Sequence, residues 1–244
     1  MRRALSAGVV LAALLVTVTA CQDELLRLGM PEPVTRQGER ILNLWQGSWV
    51  AAFGVGATVW GLIIWACIFH RKRSEELPPQ VRYNLPIEVL YTVIPFIIVA
   101  VLFYFTARDQ TEINRLSSNP DVVVDVTAFQ WSWQFDYPQQ DVTVVGRTGQ
   151  PPTLVIPTGE TVRFNLASTD VVHAFWVPAF LFKRDVVPGH PNAFEITATK
   201  EGTFAGRCAE LCGIYHSQML FNVRVVSPQE FDTFLASQPS GSTQ

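Results

Sequence analysis

The chain has 244 residues, of which 48% are hydrophobic, with a mean hydropathy of +0.20 and a formal net charge of −3. This hydropathy is high for a wholly soluble protein, and the excess lies before residue 110, in apolar runs too long for ordinary core elements. The acidic balance argues against a nucleic-acid partner and is compatible with a basic protein partner, and the four scattered cysteines exclude a disulfide scaffold.

The N-terminus has the pattern of an export signal. Two arginines precede an apolar stretch from residue 7 to residue 18, and Val18-Thr19-Ala20 stands directly before Cys21. Small residues at this position predict cleavage, so 1–20 is interpreted as a signal peptide. The pattern resembles a bacterial lipobox, which implies lipidation of Cys21 and an exported N-terminal segment over 21–44. An uncleaved signal anchor, or a signal peptide with an incidental cysteine, is the alternative.

Two apolar segments follow, at about 45–69 and 85–105, and each is long enough to cross a bilayer core of roughly 30 Å. Arg71, Lys72, Arg73 and Arg82 lie in the link over 70–84, and the positive-inside rule places that link in the cytoplasm. We therefore predict a two-helix transmembrane hairpin over 45–107, with both flanks outside the cytoplasm.

Glu88 is an ionisable residue near the cytoplasmic end of the second predicted span. An unpaired charge inside a membrane is costly, so this side chain should face protein or water. The residue is either the mouth of a proton path or a carboxylate that reaches the membrane interface.

From about residue 122 the pattern becomes strand-like, with β-branched and aromatic runs separated by turn residues. The predicted strands are Val122–Tyr137, Thr153–Ile156, Thr161–Ala167, His173–Val177, Ala193–Thr199, Gly202–Cys208 and Met219–Val226. No long helix interrupts the series, which favours an antiparallel sandwich or Greek-key barrel over 108–237. Ser227-Pro228-Gln229-Glu230 predicts the start of a short helix ending near Ser237, and 238–244 reads as a disordered tail.

The stretch from Cys208 to Met219 carries metal-ligand chemistry. Two cysteines, a histidine and a methionine occur within it, spaced C-x3-C-x3-H-x2-M. Thiolates with a thioether select copper over hard cations, and imidazole suits a site that changes oxidation state. His173, some thirty-five residues earlier, could complete the set from a neighbouring loop.

The number of donors indicates how many metal ions are bound. A single blue copper needs two histidines, one cysteine and a weak axial methionine, which leaves the second cysteine unused. A copper pair shared by two thiolates uses every donor, with one histidine per ion, Met219 on one ion and a backbone carbonyl such as that of Glu210 on the other. A Cys208–Cys212 disulfide and a structural zinc on two cysteines and two histidines are the alternatives. The chain has no C-x-x-C-H motif for covalent haem.

Several segments resemble motifs of one protein family, and they follow one another in the same order as in that family. The loop is similar to the copper A loop of cytochrome c oxidase subunit II, and Gln130-Trp131-Ser132-Trp133-Gln134-Phe135 resembles that family's aromatic segment. The segment 168–175 resembles the one that bears the first copper histidine. The stretch 182–189 resembles the family's K-x-D-x-x-P-G stretch.

The resemblance implies an exported cupredoxin-like sandwich that binds a dinuclear copper A centre. The implied copper ligands are His173, Cys208, Glu210 through its carbonyl, Cys212, His216 and Met219. It further implies that the Glu210 carboxylate helps to bind magnesium shared with subunit I, that Trp131 receives electrons from cytochrome c, and that Glu88 stands near the mouth of a proton path. Asp136 and Asp170 lie beside these motifs and either help to dock a basic cytochrome or only add to solubility.

The function implied is that of an electron inlet in the bacterial cytoplasmic membrane. Cytochrome c reduces the copper pair, which passes electrons to the haem-copper site of subunit I, where oxygen becomes water and protons are pumped. A copper chaperone would favour a single span and an α/β thioredoxin-like pattern. A freestanding mononuclear carrier leaves the second cysteine unexplained, and a quinol oxidase subunit of the same fold should lack the metal ligands.

Overall fold

The computed structural model describes residues 22–77 and 80–239. The predicted signal peptide 1–20, the predicted lipidation site Cys21 and the end of the predicted tail, 240–244, lie outside the described residues. The described residues form two compact units, one within 43–112 and the other made of 113–239 together with 22–42.

The first unit contains most of two long helices. After a short helix α1 (Gln22–Leu26), α2 spans Arg36–Phe69 and α3 spans Leu85–Ile113. Both are long and apolar enough to cross a membrane, with windows of mean hydropathy 2.0 and 2.4. At 1.5 Å per residue, α2 is about 50 Å long, well beyond the bilayer core.

Each helix contains its predicted span and extends beyond it by several residues, many of them polar. Thr35 caps the first turn of α2, where its Oγ1 accepts a hydrogen bond from Gly38 N at 2.9 Å. Arginine, glutamine and glutamate are good helix formers, so the helix includes polar residues that a hydropathy pattern leaves out.

The described part of the second unit contains ten strands arranged as a sandwich. The strands are β1 (Val122–Phe129), β2 (Ser132–Tyr137), β3 (Val142–Val145), β4 (Thr153–Pro157), β5 (Thr161–Ser168), β6 (His173–Val177), β7 (Phe182–Val186), β8 (Asn192–Thr197), β9 (Gly202–Cys208) and β10 (Leu220–Val226). The first sheet has the order β3-β2-β1-β5-β8 and the second has the order β4-β10-β9-β6-β7. The predicted class, two apolar helices with an all-β sandwich, is confirmed.

Three details of the strand prediction were wrong. Val122–Tyr137 is two strands, because the chain reverses at Gln130-Trp131 and β1 pairs antiparallel with β2. Strands β3 and β7 were not predicted. Two pairs, β1 with β5 and β4 with β10, run parallel rather than antiparallel.

The core lies between the sheets and is rich in aromatic side chains. Along β1 buried and half-buried residues alternate, as a strand with one face on a core requires. Trp133 of the first sheet packs against Phe221 of the second, with ring centroids 5.2 Å apart, and Phe164 packs against Phe175 at 5.7 Å. The Tyr137 hydroxyl of β2 donates to Val155 O of β4 at 2.8 Å, which ties the two sheets together.

The stretch before α2 lies along β8, an edge strand of the first sheet. Thr35 forms an antiparallel bridge with Ala198, and Thr199 N donates to Val34 O at 2.8 Å. The Gln37 side chain accepts from Thr197 N at 3.1 Å. These bonds explain why the N-terminal stretch belongs to the β unit.

The predicted C-terminal helix is confirmed as α4 (Pro228–Ser237). The Ser227 hydroxyl accepts from Glu230 N, and Pro228 occupies the first turn. Serine satisfies a free N–H there, and proline has none to leave unsatisfied.

Candidate metal centre

The metal-binding residues predicted from sequence meet at one end of β6 and β9, two neighbouring strands inside the second sheet. His173 begins β6 and Cys208 ends β9, and these strands are antiparallel neighbours in which Phe175 pairs with Cys208. The loop 209–219 then leads into β10. Adjacent strands thus bring His173 to the loop despite the distance in sequence.

The side-chain donors form a continuous chain of contacts. His173 Nδ1 lies 3.8 Å from Cys208 Sγ, and Cys208 Sγ lies 3.8 Å from Cys212 Sγ. Cys212 Sγ lies 3.4 Å from His216 Nδ1. The two sulfurs are therefore in the middle of the chain of contacts, with one imidazole at each end.

Two weaker donors complete the cluster. Met219 is fully buried, and its Sδ lies 3.7 Å from Cys212 Sγ. The backbone oxygen of Glu210 lies 3.2 Å from Cys208 Sγ, while the Glu210 side chain is exposed. Each cysteine sulfur thus has one imidazole and one further donor atom beside it.

The loop conformation is set by backbone bonds and by one glycine. Cys208 N donates to Met219 O at 2.9 Å, which closes the loop, and residues 216–218 form a single 3-10 turn. Gly213 has a φ of +123°, and a Cβ on it would come within 3.0 Å of Trp131 Nε1. Only glycine fits this position without strain, because its φ is positive and the indole is close.

The two thiols are electrostatically different. Burial alone would raise the pKa of Cys208, but hydrogen bonds with His173 and with backbone groups lower that pKa to about 7. Burial, together with the neighbouring Cys208 sulfur, raises the pKa of Cys212 to about 12. Without metal, the Cys208 thiol therefore ionises near neutrality, and its negative charge opposes ionisation of the Cys212 thiol.

Asp170 holds the first histidine. Its Oδ1 lies 2.8 Å from His173 Nε2, and its carboxylate accepts from the backbone N–H groups of Gln130 and Val171, both at 2.6 Å. Asp170 was predicted either to help dock a basic cytochrome or only to add to solubility, and its contact with His173 was missed. The sequence signal for that contact is an aspartate three residues before the histidine. Burial opposes ionisation, but these bonds hold the pKa of Asp170 below its ordinary value.

Trp131 is half-buried beside the metal loop. Its Nε1 donates to Cys212 O at 3.1 Å, and its ring packs edge-on against Tyr215 with centroids 5.0 Å apart. The side chain therefore contacts the backbone of a predicted ligand directly. Sequence reasoning unaided would have placed this tryptophan in the core, which is where Trp133 lies.

Glu88 and Asp136 are two further carboxylates predicted from sequence to have a function. Glu88 is in the first turn of α3, where its Oε1 accepts from Asn84 N at 2.9 Å. Asp136 lies on β2, where it accepts from the Gln134 amide and from the Thr143 hydroxyl. Both carboxylates have local hydrogen-bond partners.

The donor set fits copper better than the alternatives. A disulfide needs its sulfurs about 2.05 Å apart, whereas these are 3.8 Å apart and unbonded. A tetrahedral zinc site would leave the buried Met219 unexplained, and a thioether beside two thiols is typical of copper sites. The two-sheet sandwich also departs from the α/β pattern expected of a copper chaperone.

Comparisons with known proteins agree on one family. Residues 149–226 match the family described as cytochrome c oxidase subunit II, periplasmic domain. A probable cytochrome c oxidase subunit 2 of Streptomyces avermitilis is 50% identical over 96% of this chain and 85% of that protein. Cytochrome c oxidase subunit 2 of Mycobacterium bovis is 38% identical over 99% of this chain and 83% of that protein.

Among solved structures, the periplasmic domain of subunit II of cytochrome oxidase from Bradyrhizobium japonicum is 31% identical. The match covers 50% of this chain and 96% of that one, with a TM-score of 0.46.

Proposed function

This chain belongs to the cytochrome c oxidase subunit II family, and we propose that it is the electron inlet of that enzyme. It accepts electrons from cytochrome c and passes them towards the haem-copper site of subunit I, where oxygen is reduced to water and protons are pumped. The observation that supports this best is the arrangement of two thiol sulfurs 3.8 Å apart between two imidazoles.

The cofactor we propose is copper A, a pair of copper ions. Its ligands would be His173, Cys208, the Glu210 carbonyl, Cys212, His216 and Met219. When bound, such a pair supplies a centre that gains and loses one electron. The chain itself supplies soft donors on a closed loop and excludes water, since Cys208 and Cys212 are 4% and 3% exposed.

We propose Trp131 as the point where electrons reach the centre. The indole is half-buried and contacts the metal loop, in which Leu211 and Ile214 are 78% and 81% exposed. Its hydrogen bond to Cys212 O links a surface ring to a predicted ligand with no intervening side chain. The Asp136 and Asp170 carboxylates remain candidates for docking a basic cytochrome.

Two further sites are proposed in relation to subunit I. The exposed Glu210 carboxylate would take part in a magnesium site shared with that subunit, because a carboxylate is a ligand that magnesium prefers. Glu88 would stand near the mouth of a proton path.

The apolar helices and the periplasmic-domain family fit a membrane protein whose β domain lies outside the cytoplasm. In detail, we propose a multi-pass protein of the bacterial cytoplasmic membrane. Cleavage after residue 20 would leave Cys21 lipidated at the mature N-terminus. The exported parts would be 21–44 and the copper-binding domain 108–237, with 70–84 in the cytoplasm and 238–244 as a tail.

The decisive experiment measures copper in the purified full-length protein in detergent. The protein is loaded with copper under reducing conditions and oxidised, and then copper stoichiometry and the electron paramagnetic resonance spectrum are recorded. We expect two coppers per chain and one unpaired electron coupled equally to both nuclei. A His216→Ala variant should lose this pattern, whereas His190→Ala, at an exposed turn, should keep it. One copper coupled to a single nucleus in the unaltered chain would contradict the proposal.

A further inference from the structure

Gln130 is hydrogen-bonded to both segments that carry the predicted metal ligands. It lies at the turn between β1 and β2, where its backbone N–H donates to Asp170 Oδ2 at 2.6 Å. Its side-chain Nε2 donates to Cys212 O at 2.8 Å. Asp170 in turn binds the ring of His173, so Gln130 is linked both to one end of the donor cluster and to Cys212 in its middle.

The Cys212 carbonyl receives two donors at once, Gln130 Nε2 at 2.8 Å and Trp131 Nε1 at 3.1 Å. A carbonyl oxygen has two lone pairs, so these bonds use its full accepting capacity and fix the plane of the peptide between Cys212 and Gly213. The fit is close, since a Cβ on Gly213 would come within 3.2 Å of Gln130 Nε2. Losing either donor frees the carbonyl to tilt.

The conformation of Gln130 is informative because the residue is exposed. A glutamine side chain at a surface loses rotamer freedom when it is held in one conformation, and water offers equal hydrogen-bonding partners. The amide nevertheless points inward to the loop. The contact therefore orders the loop at the expense of side-chain entropy.

We propose that Gln130 is a positioning residue for electron transfer into the metal centre. Its amide holds the Cys212 carbonyl where the Trp131 indole can bind it, and the same bond fixes the Cys212 side of the cluster. This inference rests on the proposed function, since it assigns Gln130 a role in electron delivery by Trp131.

The test replaces the amide donor and keeps the backbone bond. Gln130→Met has a similar length and no donor, while its backbone N–H still reaches Asp170. The matched control is Gln134→Met on β2, whose amide contacts the Asp136 carboxylate instead of the loop. Both variants are measured in the assembled oxidase for copper content, for the near-infrared band of the oxidised copper and for the rate of copper reduction by cytochrome c.

We expect Gln130→Met to keep two coppers per chain, to shift the near-infrared band and to be reduced about 10-fold more slowly, as is typical when a partner outside the ligand set is lost. Gln134→Met should match the unaltered enzyme. The inference is overturned if Gln130→Met leaves both the band and the reduction rate per copper pair unchanged. This includes the outcome in which the variant binds less copper and loses activity only in proportion to that loss. If the unaltered enzyme lacks a copper pair, the proposed function fails instead.

Discussion

Replacing Asp170 by asparagine distinguishes a docking carboxylate from one that positions His173. Asp170 Oδ1 binds His173 Nε2 and Val171 N, and Oδ2 binds Gln130 N. Asparagine keeps one acceptor oxygen and places an N–H group where the other stood. At least one charge-assisted hydrogen bond is lost, worth about 1.5–3 kcal/mol. At about 1.4 kcal/mol per factor of ten, this corresponds to a roughly 10–100-fold loss of copper affinity.

The assay measures copper retention by the full-length protein against a competing chelator, followed by reduction by cytochrome c at increasing ionic strength. If Asp170 positions His173, Asp170→Asn should release copper at 10–100-fold lower chelator concentration, about the range seen for partners of metal ligands. The salt dependence of the reduction rate should then be nearly unchanged.

Asp136→Asn is the matched control, because Asp136 accepts only from side chains of β2 and β3 among the bonds described. Its copper affinity should equal that of the unaltered chain. A positioning role for Asp170 is contradicted if Asp170→Asn retains copper normally and instead shows slower, less salt-dependent association with cytochrome c, the result expected of a docking charge.

Two more predictions concern stability. Glu195→Ala should lower the free energy of unfolding of the β domain by about 3 kcal/mol, because the variant leaves Arg163 without its nearly buried partner at 2.6 Å. Denaturant unfolding of the full chain in detergent measures this, and Glu195→Ala with Arg163→Leu should recover part of the loss. A change under about 0.5 kcal/mol in the single variant would contradict the prediction. In the metal-free chain, the lowered pKa of Cys208 contributes stability above the ordinary thiol pKa, and that stability is lost as pH falls through about 7. The raised pKa of Cys212 acts in the opposite sense, so its contribution is lost as pH rises towards about 12. The melting temperature should therefore be highest between these limits, and a flat profile would count against the thiol assignments.

The sequence was sufficient for the features that depend on local pattern. Long apolar runs identify α2 and α3, and the serine, proline and glutamate at 227–230 identify the start of α4. The loop 208–219 could be recognised because four donors lie within one short segment. His173 could be included because a donor was needed to complete the set, and the pairing of β6 with β9 then brings it there.

The missed features depend on tertiary context. Strand β3 is a short edge strand, and β7 carries Lys183, Arg184 and Asp185, charges that an edge strand tolerates and that hide its strand character. The reversal at Gln130-Trp131 has no glycine, proline or asparagine to mark it. The bond from Gln130 N to Asp170 is invisible in sequence, because it joins positions forty residues apart, whereas the bond to His173 joins positions three apart.

The bonds between residues 34–37 and β8 affect how a soluble form of the domain should be cut from the chain. A fragment that begins after α3 removes Val34, Thr35 and Gln37, and so exposes backbone N–H groups that they now satisfy at Thr197 and Thr199. A bare edge of this kind pairs readily with a second molecule, and such a fragment would be prone to self-association. A fusion that joins the segment ending at Leu42 to Ile113 through a flexible linker keeps the compact unit whole and replaces only the membrane helices.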